Sequence, residues 1–454
     1  MADEKRIATF EWLNLLLNSC KKGSPSTSKK GVTKDELIEN YDVEPSLLSN
    51  YTSNRLVPRE KCVCKTTPVG TIGFNAPVHA IDIQSDGKIL VGGEFTKYGN
   101  TSLNRIARLN SDGSLDTSFN IGGGFNTDNS VVRCIKILPN NKIMVSGSFY
   151  TYQNVVNKDI VRIESNGNLD ASFSVGGNFN GGTGIYDMEY YSAKNDIIII
   201  TDHTSFGNKS KRGVIALTAN GGYSNMNIFI EYSKVNYFSV LRDGLNNGIL
   251  YTPPAVEGNT TYVNRVGKMN LTNYTRDTGF NCFLYPTSAY NSNYVIKDMI
   301  FVPESNVVLY GIFRNNTTEA NGTYVNLSLR NITNGGKLTT NLDKIKLNGE
   351  LNQDLTSSME YLNDNLYICG NFYSISDNSI EKNMKYIAKL STNGVLDSSF
   401  SNNIGFNAMT RIVKKDANGK LLVGGNFTES SNGIKLDYLV RLNTDGTIDK
   451  KFLV

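Results

Sequence analysis

The stretch DGKILVGGEFTKYGNTSLNRIARLNSDGSLDTSF, residues 86–119, returns as NGKLLVGGNFTESSNGIKLDYLVRLNTDGTIDKKF at 418–452. A fixed-period repeat restricts a chain to units that stack in a line or close in a ring, so the copies must be counted before any motif is weighed. One marker is the second glycine of the VGGEF type, at Gly93, Gly147, Gly311, Gly370 and Gly425, with gaps of 54, 164, 59 and 55 residues. A second is the glycine closing the RLNSDG type, at Gly113, Gly167, Gly221, Gly335, Gly394 and Gly446, with gaps of 54, 54, 114, 59 and 52. The second marker recovers a third copy around DIIIITDH (196–203), and the doubled gap places a fourth around NNGILYTPP and NRVGKMNLTN. Seven copies are expected.

Within a unit, VHAIDI (78–83), KILVGGEF (88–95) and NRIARLN (104–110) are short runs rich in β-branched and apolar residues, divided by turn signals. Each unit reads as an antiparallel meander. Ile89, Leu90 and Val91 are consecutive and apolar, which requires both faces of that strand to be covered. Asp86-Gly87, Asp112-Gly113, Asn166-Gly167 and Asn418-Gly419 read as hairpin turns with positive φ at both turn residues, and the paired glycines of VGGEF as a place where backbones crowd. Radial closure of such meanders removes long exposed edges. The fold expected is mainly β, a seven-bladed β-propeller over 67–454 with a small α-helical extension over 1–66. The segment TPVGTIGFNAPV (67–78) and the final unit are expected to complete one blade jointly.

The unit resembles the delta-60 repeat, with its AIxxQxDGKILVGGxFT…RIARLNxDGSLDxSF signature. The match is nearly full in 80–119, good in 134–173, 385–400 and 406–452, and poor between about 180 and 350. The resemblance implies a propeller.

A catalytic or metal centre is not expected. His79 and His203 fall in predicted strands without a neighbouring ligand cluster in sequence, and Cys62-Val-Cys64 has no second pair of ligands. NSDGSLD and NTDGTID lack the alternating acids and final Glu of a calcium loop, and Gly122–Gly124 has no following Lys-Ser/Thr for a phosphate loop. No GxSxG elbow is present. Neither cofactor nor metal is expected.

Residues 1–66 differ in kind. Ile7, Phe10, Leu13 and Leu17 recur at helical spacing, with Trp12 and Leu16 alongside, and would dock onto a partner or their own domain. Over 33–58, Thr33 and Glu36 form a capping box and VEPSLLSNY begins a second helix, a pattern similar to a helix-turn-helix. Residues 1–70 hold 11 Lys or Arg against 9 Asp or Glu, a surplus too small for the basic face that tight phosphate binding normally needs, so DNA is not the expected partner. The N-terminus lacks a secretory pattern and no run of 18 apolar residues occurs, so membrane insertion is not expected. The six cysteines are scattered, as in a chain made in a reducing cytosol.

The expected function is therefore a non-enzymatic structural or interaction protein. Copies three to five have lost GGxF and gained Tyr- and Asn-rich loops carrying Tyr251, Tyr262, Tyr285 and Tyr290, which are expected to dock partners. Asn-rich chains with delta-60-like repeats are similar to virion proteins of tailed phages of Bacteroidota, particularly the crAss-like group. That resemblance implies a virion tail component near the collar or tail barrel, synthesised in the bacterial cytoplasm and present in several copies beside other tail proteins. The competing expectation is a propeller that binds a host receptor or glycan, and a third is a DNA-linked regulator acting through 33–58.

Overall fold

The computed structural model describes residues 73–224 and 358–452, apart from short gaps at 126–128, 176, 178, 193, 208, 211–212 and 378–379. Between 225 and 357 it describes the strands and a few neighbouring residues, and before residue 71 two short strands. The chain divides into two units, Met1–Thr71 and Ile72–Val454. In the first, Gly31–Thr33 pairs antiparallel with Arg55–Pro58. Thr33, expected to cap a helix, pairs with Arg55 in that ladder. The helices expected over 7–17 and within 34–54 lie outside the described residues, as does Cys62-Val-Cys64.

The second unit is built of antiparallel meanders, with a three-stranded core in each; the fourth sheet also takes in Thr275–Arg276 and Cys282–Phe283, and the fifth runs on through Ile345–Asn348 to Ser374–Asp377 and Ile380–Asn383. Unit one comprises Val78–Ile83, Ile89–Gly93 and Ile106–Leu109, and unit two Val131–Ile137, Ile143–Ser148 and Ile160–Ile163. Unit three comprises Ile185–Tyr191, Asp196–Thr201 and Gly213–Thr218, and the inferred fourth copy supplies Val240–Arg242, Gly248–Tyr251 and Arg265–Asn270. Tyr294–Val302, Asn306–Arg314 and Thr323–Asn331 follow, then Ser358–Leu362, Asn365–Cys369 and Ile387–Ser391, then Thr410–Lys415, Leu421–Gly425 and Leu439–Leu442. The first strand of each meander packs against the first strand of the next, and Thr410–Lys415 packs against Val78–Ile83, so the succession returns to its start. That is the arrangement of a β-propeller.

The middle strand explains the consecutive apolar residues. Ile89, Leu90 and Val91 are each at most 1% exposed, as are Leu421, Leu422 and Val423, because neighbouring sheets cover both faces. Full burial of each such side chain contributes about 1.5–3 kcal/mol. The IGFN connectors are built in as well. Phe74 packs on Phe95 with ring centroids 4.2 Å apart, Phe125 on Phe149 at 4.4 Å and Phe406 on Phe427 at 4.3 Å. The following Asn75 accepts the backbone N–H groups of Thr96 and Lys97, and Asn407 those of Thr428 and Glu429.

The turns differ from expectation in one respect. Gly87 has φ +83°, but Asp86 does not enter the left-handed region. Gly87 N–H donates to the Gln84 carbonyl and Gln84 N–H to the Lys88 carbonyl, a three-residue loop ending in a left-handed glycine. The acidic residue is there for its side chain: the Asp86 carboxylate accepts Lys88 N–H, and Asp112 and Asp445 repeat this with Ser114 and Thr447. Gly113, Gly167, Gly221, Gly394 and Gly446 hold the same left-handed place, while Gly335 lies outside the described residues.

Of the segment expected to complete one blade jointly with the last unit, residues 67–72 lie outside the described residues. Among the described residues, the sheets of the first and last units each take their strands from their own stretch of chain. They meet through packing and cross-links: Val78 lies over Gly424, and Phe74 N–H donates to the Asp437 carbonyl.

The glycines of VGGEF are required by space. A Cβ on Gly147 would lie 2.0 Å from the Val131 carbonyl oxygen, and one on Gly93 2.1 Å from that of Pro77. Gly419, by contrast, has φ +73° and nothing within 4 Å of its would-be Cβ. Gly147→Ala should therefore destabilise by about 2–3 kcal/mol through overpacking, and Gly419→Ala by only about 1 kcal/mol through backbone strain. Urea unfolding of the two variants beside the wild type measures this order, and an equal or reversed effect would contradict it.

Candidate functional site

The signature residues of the repeat converge on one device. In unit one, Asp116 accepts from Lys88 Nζ and Arg108 Nε, both at 2.7 Å, and from the Ser118 backbone and hydroxyl. The Arg108 guanidinium stacks 4.7 Å from the Phe119 ring centroid, and its Nη1 donates to the Ser165 carbonyl in the turn of unit two. Unit two repeats the pattern: Lys142 and Arg162 meet Asp170, Arg162 stacks on Phe173, and Arg162 Nη1 reaches Ala219 of unit three. The last unit repeats it again with Lys420, Arg441, Asp449 and Phe452, and there Arg441 Nη1 donates to Ser111 of unit one. The same latch therefore joins neighbours along the chain and across the closure.

Worn copies have lost it by recognisable steps. In unit three Ala216 replaces the arginine, Ser224 the latch aspartate and Asp196 the lysine, and Ser224 Oγ donates to Asp196 at 2.8 Å. In the unit of Ile387–Ser391 a lysine stands for the arginine, and Lys389 meets Asp397 at 2.9 Å.

The carboxylates of the first strands are engaged differently. Asp82 accepts the N–H of Ile137, Asp298 that of Met359 and Glu360 that of Lys415, each on the neighbouring unit's first strand. They satisfy amides that face the ring's interior, where no further strand can pair with them. Burial pushes the Asp298 carboxyl up to about 7, against the opposing effect of Met359 N–H and Lys414. The carboxyl is held in backbone contacts, accepting from Met299 N–H and Met359 N–H.

A third set varies from unit to unit. At the start of the first strand the ladder shifts register around His79, Arg133, Tyr186, Lys297 and Arg411, one residue in each of five units. A β-bulge re-aims the side chain it carries and is common beside functional sites. His79 Nε2 lies 2.8 Å from Glu94 Oε1, and since a carboxylate only accepts, that nitrogen carries the proton. Burial lowers the His79 pKa against the raising effect of its hydrogen bond to Glu94, with Arg411 and Arg133 adding to the lowering. The His79 hydrogen bond, reinforced by the same arginines, holds Glu94 below its usual range. Arg411 Nε donates to Asn426 at 2.6 Å, Arg133 leans over the Tyr186 ring at 5.6 Å, and the Tyr186 hydroxyl donates to Asp202 at 3.1 Å.

Sequence reading named no partner for either histidine: His79 faces the single carboxylate of Glu94, and His203, two residues beyond the strand Asp196–Thr201 and tilted against Phe179, faces that of Asp159 at 3.0 Å. Glu94 is brought to His79 by strand pairing within unit one, whereas Asp159 reaches His203 from the neighbouring unit. The bulge residues were missed too, although a bulky polar residue amid aliphatic neighbours recurs in VHAI, VRCI, IYDM, IKDM and TRIV. Of the docking residues expected, Tyr251 ends a strand and pairs with Gly267. Tyr262, Tyr285 and Tyr290, together with Ile7, Phe10, Trp12, Leu13, Leu16 and Leu17, lie outside the described residues.

The latch sets a pH dependence. Burial alone would raise the Asp116 and Asp170 carboxyls, but their lysine, serine and arginine donors overcome it and hold both well below the ordinary value of 3.8. A depressed carboxylate stabilises above its unfolded pKa and loses that contribution as pH falls through the folded value. The melting temperature should fall steeply below about pH 4, and the fall should be shallower in Asp170→Asn. Asp170→Ala, which leaves Arg162 without its carboxylate, should cost about 3–5 kcal/mol. Asp449→Ala, at the closure, should cost as much, and a near-neutral result there would show that the closing joint is not equivalent to the others.

Three segments, 84–119, 138–173 and 417–452, match a family described as a β-propeller domain of unknown function, DUF5122. Each runs through one complete Lys–Arg–Asp–Phe latch. No curated protein matches the chain by sequence. Among solved structures the chain is similar to the WD40 β-propeller domain of Doa1, at 11% identity and a TM-score of 0.42, over 81% of this chain and 93% of that one. It is also similar to a puromycin-hydrolysing peptidase of Mycobacterium tuberculosis, at 9% identity and a TM-score of 0.46, over 85% and 54%. A third is the β-propeller domain of the Trilobed protease from Pyrococcus furiosus, at 9% identity and a TM-score of 0.37, over 83% and 96%.

Proposed function

We propose that the chain is a non-enzymatic, seven-bladed propeller that serves as a recognition component of a larger assembly. The observation that carries this reading is the division of labour among its polar residues. In the first, second and last units the signature charges keep their type and join neighbouring units, whereas the bulge positions keep their backbone place and change their side chain, from His79 to Arg133 to Tyr186 to Arg411. A constant frame presenting varied side chains at one end of its inner strands suits binding. The resemblance to virion proteins of crAss-like phages supports a tail as the assembly, with residues 1–66 and the Tyr-rich loops of the middle units as docking elements beside other tail proteins.

Mass spectrometry of purified particles checks this reading. The chain should be found there in several copies, and its absence would sink the virion proposal. Full-length protein bearing Ile7→Asp and Leu13→Asp should keep the melting temperature of the wild type but fail to enter particles.

A further inference from the structure

The bulged side chains on four consecutive units form an arc in the order Arg411, His79, Arg133, Tyr186. Within it Arg133 is the residue whose bonding is incomplete. Among the described residues its side chain has no hydrogen-bond or ion-pair partner, its guanidinium rests on the Tyr186 ring, and its Nε is buried with nothing to accept its proton. A buried donor left unpaired is expensive, the more so on a charged group.

The nearby acids do not fill the gap. Glu94 Oε1 is taken by His79, and Asp202 accepts from the Thr183 backbone and hydroxyl, from Gly184 N–H and from Tyr186. Neither forms an ion pair with Arg133. Arg411 adds a second guanidinium close enough to influence His79 and Glu94. A guanidinium fork fits a carboxylate or a phosphoryl group through two parallel bonds.

We propose that this arc binds a ligand through an oxyanion group, a carboxylate or a phosphoryl, received by the Arg133 fork with Arg411 alongside and Tyr186 at its flank. The oxyanion supplies the acceptor that Arg133 lacks. The site deepens the recognition reading and rests on it, but it does not depend on which assembly contains the chain.

Full-length protein at low ionic strength is titrated with glucuronate, with glucose 6-phosphate and with neutral glucose, and binding is followed by ligand-observed NMR. At least one of the two anions should bind at least tenfold more tightly than glucose, and its preference over the other identifies the group as carboxylate or phosphoryl. Arg133→Gln should weaken that binding at least tenfold without moving the melting temperature. Should Arg133→Gln fail to fold, Arg133→Lys, which keeps the charge but loses the fork, should still weaken binding at least threefold. Failure of both anions to bind, equal binding of glucose, or unchanged binding by a folded Arg133 variant would overturn the proposal. Presence in particles is measured separately, so failure of the site and failure of the virion reading remain distinguishable.

Discussion

The ring depends on one interaction made repeatedly: an arginine, locked by a buried aspartate and stacked on a phenylalanine, donates to a carbonyl in the next unit's turn. The aspartate neutralises the arginine, the lysine and serine complete the aspartate's bonding, and the ring face of Phe119, Phe173 or Phe452 covers the guanidinium. An isolated buried ion pair is weak support for a fold, because desolvation offsets most of its Coulomb energy. Here each charge has several donors or acceptors, and the output is directional: it fixes one unit's rotation relative to its neighbour. The apolar middle strands supply most of the burial energy, and the latch supplies the geometry.

That arrangement leaves the inner strands free to differ. Their amides toward the ring's interior are satisfied by Asp82, Asp298 and Glu360, and their register is set by the ladder to the middle strand, so the bulged residue has no structural duty in common across units. Variation can accumulate there without loss of the frame. The opposite holds at Gly93, Gly147 and Gly425, where the backbone passes too close to a carbonyl to admit a Cβ.

The architecture was largely legible in the sequence because every unit states it: the spacing of Gly113, Gly167 and Gly221 gave the period, and Ile89-Leu90-Val91 gave a doubly covered strand. The count extended even to DIIIITDH and GILY, where the signature is almost gone. The turn type was misread, since Asp-Gly suits two different loops and only the hydrogen bond from Gln84 to Lys88 separates them. The site was barely legible, for a physical reason. His79 and Glu94 lie on adjacent strands of one unit, but Arg411 is distant in sequence, and Asp159 and His203 belong to different units. Ring closure and blade packing create these neighbours, and no local pattern encodes them. The latch sat in plain view as RLNxDGSLDxSF, yet its Arg, Asp and Phe looked like turn chemistry because the acceptor lies in the next copy.

The bond from Arg441 to Ser111 spans 330 residues of chain, where its counterparts span 57. By loop-closure entropy the longer span costs only about 1.5 kcal/mol more, a small burden for an interface that also buries Val78 and Leu422. Its effect on folding order is larger. Local meanders can form as they are synthesised, but the first unit keeps one flank open until residues 410–452 have been made. Until then Val78 and the backbone around Phe74 face solvent without their cover. The closing joint is therefore where an unfinished ring is most exposed to a wrong partner, including the same flank of another copy.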